Sequence, residues 1–112
     1  MSYYVGLDVS VKLTAICIID DAGNAVMERV VASDPDDIGR CIEEFDGEIG
    51  RIGLEAAPLA PWLFGGLAER GLPVVCIEVR QMKAFAKASP INDARLIAQA
   101  MRTESWPRKF GQ

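Results

Sequence analysis

The first apolar segment, residues 3–10 (YYVGLDVS), constrains the fold of this chain more than any other stretch. Its large apolar residues alternate with Gly, Asp and Ser, which is the two-residue period of a β-strand. Asp8 therefore stands near the end of a strand, on the face that it shares with Gly6 and Ser10. A buried carboxylate is costly unless it is paired or bound to a cation. A lone Asp at a strand end commonly satisfies turn amides, but a second acidic residue in a similar setting, Glu55, favours a joint role for the two.

The segments that follow predict a sheet with both antiparallel and parallel strands. Two β-rich segments, residues 13–20 and 25–32, come after short turns and predict an antiparallel meander with the first strand. The chain then alternates between helix and strand, which favours parallel pairing through right-handed crossovers. The predicted helices cover residues 34–46, 58–70, 79–88 and 91–101, and the predicted strands cover residues 50–55 and 72–78. Asp34 is the predicted cap of the first helix, and the apolar face of the second is predicted to carry Leu59, Trp62, Leu63 and Leu67. The predicted fold is α/β: a ribonuclease-H-like mixed sheet of three antiparallel strands followed by two parallel strands, with helices on its faces.

Composition places the chain among single-domain proteins. It has 112 residues, half of them hydrophobic, which is enough for one domain with its own core. No apolar run is long enough to cross a membrane, and the N-terminus lacks the pattern of a signal peptide. The sequence has no His, and Cys17, Cys41 and Cys76 lie in apolar segments without a C-x-x-C spacing. We therefore expect reduced core cysteines in a cytoplasmic protein that has no membrane partner.

Charge is distributed unevenly along the chain. The net charge of −4 argues against a general nucleic-acid-binding protein. Residues 1–79 carry 5 basic and 14 acidic side chains, whereas residues 80–112 carry 7 basic and 2 acidic ones. The basic part either faces phosphate groups or forms a solvated helical face. The candidate DNA-binding residues are Lys12, Arg80, Lys83, Lys87 and Arg95.

Acidic residues at the strand ends predict a metal site. In the predicted sheet the first and fourth strands are neighbours, so that Asp8 and Glu55 come close together at their ends. Two adjacent carboxylates repel each other unless a cation lies between them. Ligands that are all oxygen suit Mg²⁺ or Mn²⁺ and not zinc. Asp93, near the start of the last helix, is a candidate third ligand, or it only interacts favourably with the helix dipole.

Four ordered blocks, residues 4–10, 53–56, 73–81 and 92–99, carry a resemblance to a known family. Together they resemble the N-terminal DEDD domain of transposases of the insertion-sequence-110 family, over residues 3–102. Members of that family look like RuvC-type resolvases, in which four acidic residues hold Mg²⁺ ions for phosphodiester cleavage. The resemblance implies DNA recombination directed by an element-encoded RNA, together with a C-terminal domain that bears a serine.

The resemblance assigns roles to three carboxylates and leaves a fourth without a match. Asp8 matches the first catalytic and metal-binding carboxylate of the family, Glu55 the second and Asp93 the last. The family usually has an Asp a few residues before the last one, but here the linker looks shortened and Pro90 stands at about that place. The sequence ends soon after the last predicted helix, and we expect the serine domain of the family to be missing. We therefore expect a DEDD domain over residues 1–102, a loose basic tail over residues 103–112, and a truncated transposase that is inactive alone, with an incomplete Mg²⁺ or Mn²⁺ site.

Two other classes of function stay open on the sequence. One is a non-catalytic interaction module on the same fold, which binds a partner through exposed aromatic residues and the basic tail. The other is an actin-like nucleotide-binding half-domain, because the GLDVS opening also begins such domains. The aromatic residues Trp62, Trp106 and Phe110 are candidates for an uncovered apolar surface, and they lead us to expect a homodimer.

Overall fold

The computed structural model describes residues 1–77, 93–103 and 108–111 of the chain. The elements follow one another in an order that matches most of the sequence prediction. They are β1 (Ser2–Val9), β2 (Leu13–Ile19), β3 (Ala25–Ala32), α1 (Pro35–Glu43), β4 (Glu48–Glu55), α2 (Ala60–Glu69), β5 (Val74–Ile77), α3 (Asp93–Thr103) and β6 (Arg108–Gly111). The helix predicted over residues 79–88 lies outside the described residues.

The strands form one sheet in the order β3-β2-β1-β4-β5-β6. The first three strands pair antiparallel, and β1, β4 and β5 pair parallel. The predicted mixed sheet of three antiparallel strands followed by two parallel ones is therefore confirmed.

One expectation about the C-terminal tail was wrong. Residues 103–112 were expected to be a loose tail, but residues 108–111 form β6, which pairs antiparallel with β5. All four residues of β5 are buried. A buried strand at a sheet edge would leave a row of backbone groups without partners, and a sixth strand satisfies them.

The turns of the meander follow local sequence. The amide of Ser10 donates to the carbonyl of Leu13 at 3.0 Å and closes the turn between β1 and β2. Between β2 and β3, Gly23 adopts a φ of 89°, which favours glycine. The carboxylate of Asp20 accepts from the amides of Ala22 and Asn24, and these hydrogen bonds, that from Asn24 first, lower the pKa of Asp20.

Helices α1 and α2 pack together on one face of the sheet. The side chain of Asp34 caps α1 by accepting from two amides of its first turn, as predicted. Gly66 of α2 lies against Pro35, and a Cβ at that glycine would overlap the proline ring. Arg70, at the end of α2, donates to Asp36 at 2.9 Å and to Glu43 at 2.7 Å. The contact of Gly66 with Pro35 and the ion pairs of Arg70 hold the two helices together.

The sequence pattern misplaced Trp62 within α2. Trp62 was assigned to the apolar face with Leu63 and Leu67, but its side chain is 53% exposed. The buried positions of α2 are Ala60, Leu63 and Leu67. Because successive helical residues are about 100° apart, Trp62 points away from a stripe that is centred on Leu63.

Each face of the sheet has its own apolar core. Under α1 and α2 the core is built from large side chains of alternate strand positions, among them Val5, Leu7, Ile16, Ile52 and Leu54. The opposite face is covered by α3 through Ala94, Ile97, Ala98, Ala100 and Met101.

Cysteine burial and helix length bear on the predictions of reduced core cysteines and of no membrane-spanning segment. All three cysteines are free; Cys17 and Cys76 are buried, but Cys41 is only half-buried, so it is not the core residue that was expected. Burial raises the pKa of the Cys17 thiol to about 11. In the described part of the chain, no helix has the length and apolar character that a membrane crossing requires.

Candidate metal centre at the carboxyl ends of β1 and β4

The face of the sheet that carries Asp8 and Glu55 has glycines where helix α3 crosses it. A Cβ at Gly6 would overlap the carbonyl oxygen of Ala94 and come within 2.5 Å of the amide of Ala98. A Cβ at Gly53 would lie 2.6 Å from the side chain of Ile97. Glycine permits this approach, so the backbone of α3 lies directly on β1, and the side chains of Ile97 and Met101 lie directly on β4.

The register of β1 and β4 aligns the two acidic residues. Gly6 pairs with Gly53 and Leu7 with Leu54, so that one further step brings Asp8 opposite Glu55. Neighbouring strands lie about 4.8 Å apart, and side chains at paired positions share a face. Both acidic residues are half-buried. The predicted adjacency of the first and fourth strands is confirmed.

Helix α3 brings Asp93 toward the same end of the sheet. Arg51, near the start of β4, donates to the carbonyl of Met101 in the last turns of α3 at 2.8 Å. Ala94, in the first turn, lies over Gly6 farther along β1. The helix therefore runs against the strands, and its first residue, Asp93, begins near their carboxyl ends.

The three carboxylates share a face and an end of the sheet without forming a closed ligand set. In the ranges 1–77 and 93–103, no group of three or more Cys, Asp or Glu side chains could hold a metal ion. Asp8 and Glu55 directly follow Leu7 and Leu54, the last paired residues of β1 and β4, whereas Asp93 is on a helix. Pro90 and the shortened linker lie outside the described residues.

Comparison with known proteins decides the family. A family model for the DEDD transposases of insertion sequence 110, described as a transposase family, matches residues 5–109. The chain belongs to this family. The resemblance drawn from four sequence blocks is confirmed, and the chain is a transposase domain of the DEDD type. The match favours this function over the actin-like nucleotide-binding alternative.

A solved structure shows the fold of the DEDD domain independently. RuvC of T. thermophilus in complex with Holliday junction substrate is similar with a TM-score of 0.65, over 96% of this chain and 99% of that one. The two sequences are only 16% identical, so the likeness concerns the fold, which is RuvC-like and of the ribonuclease-H type. No curated protein matches the chain in sequence.

The donor set of the DEDD domain fits a hard divalent cation in part. Carboxylate oxygens from two adjacent strands suit Mg²⁺ or Mn²⁺, which prefer oxygen ligands. A cation between Asp8 and Glu55 would also remove the repulsion between them. The strands thus offer two carboxylates to an ion, and Asp93 begins the helix that crosses the same face.

The turn after Asp8 is anchored by a buried hydroxyl network that the sequence analysis missed. Thr14 and Ser33 are buried, and their hydroxyls lie 2.8 Å apart. The Ser33 hydroxyl donates to the carbonyl of Ser10 at 2.6 Å, and the Ser33 amide donates to the carbonyl of Lys12 at 2.9 Å. A Thr inside the apolar segment LTAICII was the available signal for it.

The same turn holds Ser10, whose hydroxyl donates to the carbonyl of Leu13 at 2.6 Å. Lys12 is exposed at the tip of the same turn. Its proposed contact with phosphate is compatible with that exposure.

Arg95, a predicted DNA-binding residue, forms an ion pair within the domain. Its guanidinium donates to both oxygens of Glu28 on β3, at 2.7 and 2.8 Å. This pairing lowers the pKa of Glu28 and raises the pKa of Arg95. DNA contact by Arg95 would compete with this pair. Arg80, Lys83 and Lys87 lie outside the part of the chain that the structure describes.

A second contact joins α3 to the meander near its other end. The side-chain amide of Gln99 donates to the carbonyl of Gly23 at 2.7 Å, and Arg102 donates to the same side chain at 3.1 Å. Residue spacing could not reveal this contact, because the partners are 76 positions apart in sequence.

Proposed function

We propose that this DEDD domain binds Mg²⁺ or Mn²⁺ through Asp8 and Glu55, with Asp93 as a further ligand, and that these three carboxylates are its catalytic residues. The reaction is metal-dependent cleavage of DNA phosphodiester bonds during transposition. The observation that supports the proposal most directly is the parallel register of β1 and β4, which aligns Asp8 with Glu55. Membership of a transposase family supports the reaction class.

Each part of the site has a distinct task in this proposal. A bound divalent ion would supply positive charge to the attacking and leaving oxygens of the phosphodiester. Asp8 and Glu55 hold it from two rigid strands, which limits their movement. Asp93 approaches from α3 and adds a third oxygen ligand. The half-buried position of all three side chains restricts competing water.

Calorimetry with Mn²⁺ tests the metal proposal. We expect weak binding to the wild type that Asp8→Asn and Glu55→Gln each remove. Glu69→Gln is a matched control, because Glu69 is exposed at the end of α2, the helix on the other face of the sheet. Binding of equal strength by Asp8→Asn and the wild type would mean that the strand carboxylates are structural.

We further propose that this chain alone cuts DNA at a very low rate. Three of the four family carboxylates have counterparts here, and loss of one well-placed electrostatic group commonly costs on the order of 10²–10³ in rate. A cleavage assay in Mg²⁺ or Mn²⁺ on branched and linear DNA tests this, with Asp8→Ala as the control. Cleavage by the wild type at a useful rate, lost in the mutant, would show that three carboxylates suffice and would contradict the proposal.

DNA is the proposed partner, and the resemblance adds a guide RNA in longer family members. The basic residues Lys12, Arg80, Lys83 and Lys87 are the proposed phosphate contacts, with Arg95 available if it leaves Glu28. Binding of this kind weakens steeply with salt, because each neutralised phosphate releases a counterion. Fluorescence anisotropy with labelled DNA, at roughly 50 to 200 mM salt, compares the DNA affinity of the wild type with that of Lys12→Gln. If Lys12 contacts a phosphate, the affinity of the variant should depend less steeply on salt. A variant with the same salt dependence as the wild type would argue against the contact.

A homodimer also stays a proposal. Its support is the 53% exposure of Trp62 on α2, whereas Trp106 and the side chain of Phe110 lie outside the described residues. Sedimentation of the wild type and of Trp62→Lys tests it. A monomeric wild type at high concentration would exclude this role for Trp62.

A cytoplasmic location is proposed on the state of the thiols. The free cysteines Cys17, Cys41 and Cys76 suit a reducing compartment. If the protein is denatured directly after extraction and treated with a thiol reagent, all three cysteines should react.

A further inference from the structure

Strand β3 lies at an edge of the sheet, where it pairs with β2 and with no other described strand. It is eight residues long, it has no proline, and six of its residues are exposed. The one irregularity of its pairing falls near its start, opposite Ile18 and Ile19, so residues 27–32 form a regular ladder. A long, regular and exposed edge strand is a template on which another strand can pair.

Hydrogen bonds at the adjoining turn show which backbone groups of β3 face this edge. The amide of Ser33 donates to the carbonyl of Lys12, so these two residues form a bonded pair just beyond the end of the β2–β3 ladder. Bonded and non-bonded pairs alternate along an antiparallel ladder, and every second residue of β3 therefore bonds to β2. The residues that bond to β2 are Met27, Arg29 and Val31. The backbone amides and carbonyls of Glu28 and Val30 point to the edge.

Exposed aliphatic side chains surround the same edge. Val30 is 63% exposed and pairs with Ala15, which packs against the cluster under α3. Leu13 is also exposed and shares that face, because it precedes Ala15 by two residues. Four of the large hydrophobic side chains that are exposed in the described residues belong to this region, namely Val11, Leu13, Val26 and Val30. An apolar surface beside an unpaired strand favours association with another protein chain.

The charges around β3 suit a second copy of the same strand. Arg95 neutralises the carboxylate of Glu28, which weakens its repulsion of the same carboxylate in a second copy. On the other face, Arg29 lines a groove between β3 and α1 in which the described residues include two arginines and three carboxylates. The carboxylates are those of Asp37, Glu44 and Asp46. An Arg29 from a second copy would bring the missing positive charge to this groove.

We propose that two copies of the chain associate through β3, with the two strands antiparallel about a two-fold axis, so that one sheet continues into the other. The pairing satisfies the outward amides of Glu28 and Val30 and places the exposed valines of both copies on one face. It needs no other partner, because a two-fold axis makes one surface complementary to itself. The inference rests on the proposed homodimer and names a surface for it other than Trp62 of α2.

Sedimentation equilibrium of the wild type and two variants tests the proposal. Val30→Pro removes an amide that faces the edge and keeps the bonds to β2, a position at which strands accept proline. It should be monomeric at concentrations at which the wild type is a dimer, since the substitution acts on both copies. Trp62→Lys is the matched control on the other surface, and it should stay dimeric.

The outcomes separate this interface from the homodimer itself. A wild type that is monomeric at high concentration would exclude any homodimer. A dimer that persists in Val30→Pro, or that only Trp62→Lys disrupts, would overturn the role of β3 alone. Oligomers larger than a dimer would also contradict the proposal, because pairing about a two-fold axis closes after two copies.

Amide hydrogen exchange on the wild type tests the geometry without any substitution. Dilution from dimer to monomer should speed the exchange of the Glu28 and Val30 amides, which lose their partners in the second copy. The amides of Arg29 and Val31 should keep their protection, because β2 holds them in both states. Exchange at Glu28 and Val30 that does not depend on protein concentration, beside a dimeric wild type, would refute pairing through β3.

Discussion

The two faces of the sheet differ in how closely their helices approach the strands. Under α1 and α2, large side chains such as Leu7, Leu54 and Leu63 fill a continuous apolar core. Under α3, Gly6 brings the helix backbone against β1, and Ile97 and Met101 form part of a smaller apolar core over Gly53. The first face is stabilised by buried area, which tolerates a range of side-chain shapes of similar volume. The second face combines smaller apolar clusters with close approach of the helix backbone, and it is the face that carries Asp8 and Glu55.

The largest expected effect concerns the first face. Leu63→Ala removes a fully buried side chain and should lower the free energy of unfolding by about 2–5 kcal/mol. Because Leu63 lies on the face opposite to Asp8, Mn²⁺ binding by the folded protein should persist. Urea unfolding measures the first quantity and calorimetry below the transition the second. A folded Leu63→Ala protein that binds no Mn²⁺ would mean that the two faces are coupled.

The next largest effect is expected from a single added methyl group that disrupts the packing of α3 on the second face. Gly6→Ala forces a Cβ against the carbonyl of Ala94 and should cost about 1–3 kcal/mol or more, because backbone cannot move aside as a side chain can. It should also displace α3 and weaken Mn²⁺ binding.

Gly65→Ala is the control for this change. Nothing lies within 4 Å of a Cβ at Gly65, which is in α2. There the substitution should stabilise the protein by up to about 1 kcal/mol, because alanine favours a helix more than glycine does. Gly6→Ala with wild-type stability would refute the close packing of α3 on β1.

A smaller effect sharpens the role of the turn beside Asp8. Thr14→Val removes the hydroxyl that contacts Ser33 and should cost about 1 kcal/mol, the usual net value of a hydrogen bond. Thr14→Ser keeps the hydroxyl and should recover that part of the loss. Urea unfolding of both variants and the wild type gives the comparison; a Thr14→Val protein as stable as the wild type would show that the buried hydroxyl contributes nothing at this junction.

The smallest effect is a dependence of stability on pH. The Glu28 carboxyl has a lowered pKa in the folded protein because Arg95 donates to it. The stability from this pair is complete above the ordinary Glu pKa and is lost as the pH falls through the lower folded value. Since the pair is exposed, the contribution is small. Glu28→Gln should flatten the stability curve between about pH 5 and 3, and an unchanged slope would contradict this.

Much of the fold followed from local patterns. Two-residue alternation predicted β1, β-rich segments predicted β2 and β3, and the capping residue Asp34 predicted the start of α1, because these signals depend on neighbours in the sequence. The adjacency of β1 and β4 could be predicted as well, from the topology of an α/β sheet, whereas the metal-binding role of Asp8 and Glu55 stays a prediction. Trp62 was misplaced because an aromatic residue at the edge of an apolar helical face carries no sign of which way it points.

The sequence by itself determined the order of the first five strands, the positions of α1 and α2, and the family. Only the tertiary structure decided that the tail adds a sixth strand, that Arg95 is held by Glu28, and that Gln99 reaches the turn at Gly23. The physical reason is the range of the interactions. Strand and helix periods are written in residues a few positions apart, whereas Glu28 and Arg95 are 67 positions apart and meet only after α3 packs on the sheet. No pattern in the sequence shows where a side chain will find a partner that distant, because the path between them is set by the fold as a whole.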